Sequence, residues 1–146
     1  MKPPIKSSFT LLIITLSFIC CNKSDDPATE TEEQVFLSEI AKTWKSSVVM
    51  LDGVDVSKSF SGLVVTFSTD KTITVTNPLP PMWKESGSFN LQPNGSTFLI
   101  KRNDGLNINV VEATDQRLVL NFQYDPSAIN GRVKSVVGNF IFEMIR

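Results

Sequence analysis

The sequence has 146 residues, with 15 acidic and 14 basic side chains and no histidine. This length fits one domain. The lack of histidine excludes a Ser-His-Asp triad and every histidine metal site, and the near-neutral charge gives no electrostatic footprint for nucleic acid.

The first residues are typical of an export signal. Lys2 and Lys6 precede an eleven-residue apolar run from Phe9 to Ile19 that contains no charge. A membrane-spanning helix needs about 20 apolar residues, so this run is too short to span a bilayer but fits the apolar region of a signal peptide. A buried core helix is the alternative, and the position of the run behind two lysines favours the signal peptide.

The only two cysteines, Cys20 and Cys21, stand where the apolar run ends. Adjacent cysteines rarely bridge each other, so we expect no disulfide. The position resembles a bacterial lipobox, with the small Cys20 before Cys21 and Phe18 where leucine is usual. This resemblance implies a signal peptide at residues 1–21, a lipid on Cys21 and attachment to a membrane. Thiolate metal sites are then excluded as well, and we expect no metal or other cofactor.

Residues 22–31 are polar and acidic, and they are predicted to form a disordered tether. Lys23 followed by Asp25 and Asp26 resembles the export signal of surface lipoproteins in Bacteroidetes-type bacteria. The implied location is the outer membrane of the cell envelope, with exposure at the surface. The chain beyond Cys21 keeps 12 basic and all 15 acidic residues, a balance of −3.

Residues 32–146 are predicted to form the folded domain, which begins with one helix. Glu32 to Lys42 carries apolar residues at helical spacing, and we expect Val35, Phe36 and Ile40 to share one face. Thr31 is the expected N-cap.

From Thr43 onward, apolar residues alternate with polar ones in eight segments, about ten residues apart. Turn signals such as Asp52-Gly53 separate the segments. The last segment, Arg132 to Ile145, changes phase near Gly138, which predicts a β-bulge. The pattern predicts an all-β fold, an eight-stranded antiparallel up-and-down barrel. Trp44 is predicted to lie in the core, and the following aromatics are predicted to point inward and either to fill the barrel or to line a cavity: Phe67, Phe89, Phe122, Tyr124, Phe140 and Phe142.

Several segments resemble the lipocalin-like domains of bacterial lipoproteins. The resemblance implies a small barrel and a hydrophobic ligand, but it does not indicate any particular activity. Lys42 replaces the glycine that lipocalins have two residues before the tryptophan. The matching segments are Thr43-Trp44-Lys45, Leu51-Asp52-Gly53, Val65-Thr66-Phe67, Asp70-Lys71-Thr72, Gly87 to Phe89 and Gly138 to Phe142.

The segment from Asn77 to Ser86, here called the proline loop, holds three prolines and large apolar side chains. Prolines stiffen a loop by limiting its conformations. We predict that Leu79, Met82, Trp83 and Tyr124 bind a ligand or a partner near one barrel end. For Trp83 the alternative is that it plugs the barrel.

Three functional hypotheses follow. The first is a monomeric, non-enzymatic lipoprotein that binds a small apolar or amphipathic ligand. The second is an accessory lipoprotein that contacts another envelope protein or a glycan through the proline loop. The third is a hydrolase that uses two carboxylates, drawn from Asp52, Asp55 and Asp104; turn chemistry alone explains the two aspartates that precede glycine.

Overall fold

In the computed structural model, which describes residues 30–125 and 136–146, consecutive barrel strands pair antiparallel and the last returns to the first. The pairing of β1 with β9 closes an eight-stranded barrel, and the two-residue β2 pairs with the end of β1. The predicted all-β meander barrel is therefore confirmed. The elements are α1 (Glu32–Ile40), β1 (Thr43–Leu51), β2 (Val54–Asp55), a 3-10 helix (Ser57–Phe60), β3 (Val64–Phe67), β4 (Thr72–Thr76), β5 (Ser86–Asn94), β6 (Thr97–Arg102), β7 (Asn107–Ala113), β8 (Arg117–Tyr124) and β9 (Gly138–Ile145).

The antiparallel order gives the barrel two different ends. At one end, here called the helix end, lie α1 and the turns after β3, β5 and β7. At the other, here called the mouth end, lie the β1–β2 turn, the 3-10 helix, the proline loop and the turn after β6. Helix α1 therefore leads into β1 at the end opposite the mouth.

Helix α1 begins as predicted, because Thr31 and Gln34 form a reciprocal capping box with hydrogen bonds of 3.2 and 2.9 Å. It ends at Ile40 rather than Lys42, and its buried residues are Leu37 and Ile40. The predicted face was wrong for Val35, which is 41% exposed. At 3.6 residues per turn, five residues separate Val35 from Ile40 by about 140°. Among the described residues, no helix is long and apolar enough to cross a membrane.

The barrel interior is apolar and rich in aromatic rings. Trp44 is fully buried, and its Nε1 donates a hydrogen bond of 2.9 Å to the carbonyl oxygen of Ile40, which ties the end of α1 to β1. The core prediction for Trp44 is confirmed, and so is the inward direction of the six predicted aromatics, all of which are buried. Helix α1 and the closed sheet share this one core.

The predicted bulge near Gly138 was wrong. Strand β9 begins at Gly138, and its register with β8 runs from Tyr124–Gly138 to Arg117–Ile145 without a shift. The phase change arises because Val137 precedes the strand and is 54% exposed, while residues 132–135 of the predicted strand lie outside the described part. The register shifts lie in β1 and β7, where Ser47 and Val111 are the extra residues.

Candidate functional site

An apolar groove of about 230 Å³ lies at the mouth end. It is bounded by the 3-10 helix, the proline loop and the start of β9, and nine of the ten described residues that line it are apolar. We call it the mouth groove. Its lining consists of Leu51, Val56, Ser59, Phe60, Leu79, Pro80, Pro81, Met82, Val136 and Phe140.

The 3-10 helix brings Phe60 to the groove. One carboxylate oxygen of Asp55 accepts hydrogen bonds from the Ser57 hydroxyl (2.6 Å) and the Ser57 backbone N–H (2.9 Å), and the same hydroxyl accepts from the N–H of Val49 (2.9 Å). The hydrogen bonds from Ser57 lower the pKa of Asp55 below its ordinary value of 3.8. The Phe60 ring then packs edge-on against Phe142 at 5.0 Å between centroids.

The proline loop forms the opposite wall. The N–H of Leu79 donates to the carbonyl of Trp83 (2.8 Å) and the N–H of Trp83 donates to the carbonyl of Leu79 (3.0 Å), enclosing Pro80 and Pro81 in a tight turn. Leu79 is 37% exposed, whereas Met82 is buried and Trp83 is fully buried. The loop therefore offers Leu79 to the outside and sends Trp83 into the barrel.

Inside the barrel, the Trp83 ring meets Phe142 and Phe122 edge-on, with centroid distances of 5.5 and 6.0 Å. From another side the guanidinium carbon of Arg102 lies 5.3 Å from the ring centroid. Arg102 also donates to the Met82 carbonyl oxygen at 2.8 Å. A strand residue thus fixes both the backbone of the proline loop and its buried indole.

The positive charge of Arg102 is paired with a neighbouring carboxylate. Its second guanidinium nitrogen is 2.5 Å from a carboxylate oxygen of Asp104, and the two side chains are 7% and 11% exposed. Lys84 approaches the same carboxylate at 3.7 Å. The guanidinium therefore already has a carboxylate, a carbonyl and an indole ring as partners.

Tyr124, the remaining predicted site residue of the barrel, is fully buried, with its ring 6.4 Å from that of Phe140 in the groove lining. Its hydroxyl has no hydrogen-bond partner, and neither has Nε1 of Trp83; within residues 30–125 and 136–146 these are the two buried side-chain polar atoms in that state. The structure thus places Leu79 and Met82 in the groove lining and Trp83 and Tyr124 in the barrel interior beneath the mouth end.

The candidate carboxylates hold turns and loops together. Asp52 occupies the predicted β1–β2 turn with a positive φ of 48°, and its carboxylate accepts a hydrogen bond of 2.9 Å from the N–H of Asn139. Asp55 and Asp104 are engaged by Ser57 and Arg102. In the described part of the chain no cluster of three or more acidic or cysteine residues could hold a metal ion. Cys21 lies outside the described residues.

Comparison of the chain with models of protein families, with characterised proteins and with solved structures finds no match. The resemblance to lipocalin-like lipoproteins therefore rests on the residue segments quoted above, and the barrel itself rests on the strand pairing.

Sequence reasoning missed three parts of the site. It did not predict the 3-10 helix that supplies Phe60, the placement of Phe140 in the groove lining, or the role of Arg102. The signal for the 3-10 helix was the spacing of Asp55 and Ser57, because an aspartate often accepts hydrogen bonds from the residue two positions later. No local signal marks the contacts of Arg102 with the proline loop, because Met82 and Trp83 come from another segment.

Proposed function

We propose that this protein is a lipid-anchored lipoprotein of the bacterial envelope that binds a small apolar or amphipathic molecule in the mouth groove without transforming it. The observation that carries the proposal is the composition of the groove, where nine of the ten lining residues that the structure describes are apolar. Burial of apolar surface favours binding by about 25 cal/mol for each Å².

The size of the groove limits the ligand. Ligand pockets commonly enclose about 300–1,000 Å³, and the mouth groove holds about 230 Å³. Beneath it, the Phe122 ring contacts the rings of Trp83 and Phe140 in the barrel interior. The ligand is therefore a small molecule, or one apolar part of a larger molecule, held at the mouth rather than along the barrel axis.

The position of α1 is compatible with anchoring. Because α1 lies at the helix end, a tether that leads to a lipid on Cys21 would join the barrel opposite the mouth groove. A ten-residue tether reaches about 15–20 Å on average. Such an arrangement leaves the groove accessible to a ligand while the protein is held on the membrane.

Ligand binding is tested with a pair of charge substitutions in residues 30–146, which contain the described core. Leu79→Asp places a charge in the groove, and Val111→Asp places one at a residue of β7 that is 55% exposed and outside the groove. We expect 8-anilinonaphthalene-1-sulfonate to bind the unmodified barrel and the Val111 variant and to bind the Leu79 variant weakly. Equal binding to all three, or to none, would remove the groove as the site.

Anchoring is tested separately in the full chain. Metabolic labelling with a palmitate analogue should mark the unmodified protein and should be lost in Cys21→Ser, while Cys20→Ser keeps the label. A label that persists in Cys21→Ser would contradict the assignment of the lipid to this residue.

The second candidate function is contact with an envelope protein or a glycan through the mouth end. It is favoured by exposed apolar side chains at that end, since large exposed apolar patches mark interaction sites. Leu79 is 37% exposed, and Val54, Val136 and Val137 are each more than half exposed. Trp83 is buried, so the contact would use Leu79 and its neighbours. This function would be favoured if in-cell cross-linking to a partner is lost in Leu79→Asp but kept in Val111→Asp, and if the purified protein carries no bound small molecule.

A further inference from the structure

A second groove, of about 550 Å³, lies at the helix end of the barrel. One wall is formed by α1 and the start of the described chain, and the other by the hairpin that joins β5 to β6. We call it the acidic groove, because the ten described residues that line it include three glutamates and no basic residue. These ten residues are Glu30, Glu32, Val35, Phe36, Glu39, Pro93, Gly95, Ser96, Thr97 and Phe98. None of them lines the mouth groove, so the two grooves are separate sites.

The acidic groove contains an apolar surface between helix and hairpin. The Phe36 ring of α1 lies 4.8 Å from the Phe98 ring of β6, measured between centroids. Val35 lines the groove beside this pair and is 41% exposed. Because α1 turns Leu37 and Ile40 toward the barrel core, Val35 is left outside the core. A ligand that covers Val35 and the ring pair would therefore remove apolar surface from water, which favours binding.

The glutamates flank this apolar surface. Glu32 and Glu39 are seven residues apart on α1, so they lie on one face, two turns from each other. Val35 and Phe36 lie between them at the spacing of that same face. Within residues 30–125 and 136–146, none of the three groove glutamates forms an ion pair, whereas Glu33 pairs with Lys71 at 2.6 Å. Unpaired carboxylates around a cleft attract cations and repel anions.

We propose that the acidic groove binds a small organic cation that carries an apolar part, such as an amphipathic amine. The apolar part covers Val35 and the Phe36–Phe98 pair, and the ammonium group lies among the glutamates. The volume of about 550 Å³ is within the range of about 300–1,000 Å³ that is common for small-molecule sites. The acids alone would make only a negative surface; the aromatic pair between them gives the site its second requirement. This proposal does not rest on the mouth groove.

Four probes separate the two requirements: phenethylamine is cationic, phenethyl alcohol is neutral, phenylacetate is anionic, and ethylamine lacks the ring. Each is titrated at neutral pH into residues 22–146, and NMR shifts of the Gly95, Ser96 and Phe98 amides report binding at the acidic groove. We expect phenethylamine to bind more tightly than the other three probes and phenylacetate to bind most weakly. Added salt should weaken the binding of phenethylamine and leave that of the alcohol unchanged, because salt screens exposed charges.

A matched pair of variants assigns the charge effect to the groove. Glu39→Gln removes a carboxylate of the groove, and Glu33→Gln removes one from the same helix outside the groove. Two unit charges about 4–6 Å apart in water change an affinity about threefold to fivefold. We expect Glu39→Gln to weaken phenethylamine binding by that factor without affecting the alcohol, and Glu33→Gln to have a clearly smaller effect. Equal losses in the two variants would assign the preference to net charge and overturn the site.

The other outcomes also decide the proposal. If the amine and the alcohol bind equally well, or if phenylacetate binds best, the cation is not selected and the proposal is wrong. If ethylamine binds as tightly as phenethylamine, the aromatic pair has no part in binding and the proposal is again wrong. Amine-induced shifts confined to Phe60 and Leu79 would place the amine in the mouth groove, which overturns this site and leaves the proposed function standing. If raising the protein concentration alone shifts the reporter amides, the groove is occupied by a second copy of the chain instead.

Discussion

The guanidinium carbon of Arg102 lies 5.3 Å from the centroid of the Trp83 ring, and the same guanidinium donates to the carbonyl of the residue before that tryptophan. One strand residue therefore holds the proline loop by its backbone and by its indole. A cation over an aromatic face contributes about 0.5–2 kcal/mol, more when it is shielded from water. Arg102 thus ties the proline-loop wall of the mouth groove to β6, and its ion pair with Asp104 is largely shielded from water.

Replacement of Arg102 by methionine should destabilise the barrel by about 3 kcal/mol, because it leaves Asp104 buried without its nearest cation. Chemical denaturation measures the loss. A second substitution, Asp104→Asn, should recover part of it, because it removes the unpaired charge. No recovery in the double variant would show that the ion pair is not the source of the loss.

Arg117 provides a matched control for Arg102. It pairs with Glu112 and Glu143 on the outer face, and its side chain is 43% exposed. Exposed ion pairs contribute little to stability because water and salt screen them. Arg117→Met should therefore lower the denaturation midpoint far less than Arg102→Met. Equal losses would mean that burial does not distinguish the two arginines.

Tyr124→Phe should raise the stability of the ligand-free barrel by about 1 kcal/mol, because it removes a buried hydroxyl without a partner and keeps the ring. The ring still packs against Phe140 in the variant. Denaturation of the two proteins in parallel measures the difference. A clear loss of stability would show that the hydroxyl has a partner in the folded protein.

Gly138→Ala should destabilise the barrel by about 1–3 kcal/mol through crowding. A Cβ at this position would collide with the carboxylate of Asp52 and with the Leu51 side chain. The carboxylate could move only by giving up its hydrogen bond with the Asn139 N–H. In a double-mutant cycle with Asp52→Ala, the double variant should lose less stability than the sum of the losses in the two single variants. Strict additivity would contradict the contact.

The strands and the first turn were predictable because their signals are local. Leu118, Leu120, Phe122 and Tyr124 alternate on β8 and are all buried, and Asp52-Gly53 has the two positive φ values that a two-residue hairpin requires. The face of α1 was predicted wrongly, because Val35 and Ile40 are five residues apart and therefore lie on different sides of the helix. The role of Gly138 was predicted wrongly, because the sequence around it shows only that the alternation of apolar residues changes phase. The need for glycine comes from the close approach of Asp52, 86 positions earlier.

The mouth groove was predictable only in part. Leu79 and Met82 stand in one short segment, so their shared position could be proposed from sequence. Val56, Phe60 and Phe140 reach the groove from other segments, and their meeting depends on closure of the barrel. The partners of the buried Trp83 ring, Arg102, Phe122 and Phe142, likewise come from other segments, and no pattern near the tryptophan reveals them.

Asp55 gives the site a predictable dependence on pH. Hydrogen bonds from Ser57 lower the pKa of Asp55 in the folded protein below the ordinary value of 3.8. A lowered folded pKa means that the ionised form stabilises the fold above the unfolded pKa, and that this contribution is lost as pH falls through the folded pKa. The difference in unfolding free energy between the unmodified barrel and Asp55→Ala should therefore be constant near neutral pH and shrink below about pH 4.

The dependence is measured by denaturation of both proteins between about pH 7 and pH 2, and by NMR titration of the Asp55 carboxyl. Ser57→Ala is the control, because it removes the hydroxyl that donates at 2.6 Å and also the acceptor of the Val49 N–H. Its Asp55 should titrate closer to 3.8. Since the same contacts start the 3-10 helix that carries Phe60, this variant should also bind an apolar probe more weakly at neutral pH. An unchanged Asp55 titration in Ser57→Ala would show that the hydroxyl does not set the charge at this position.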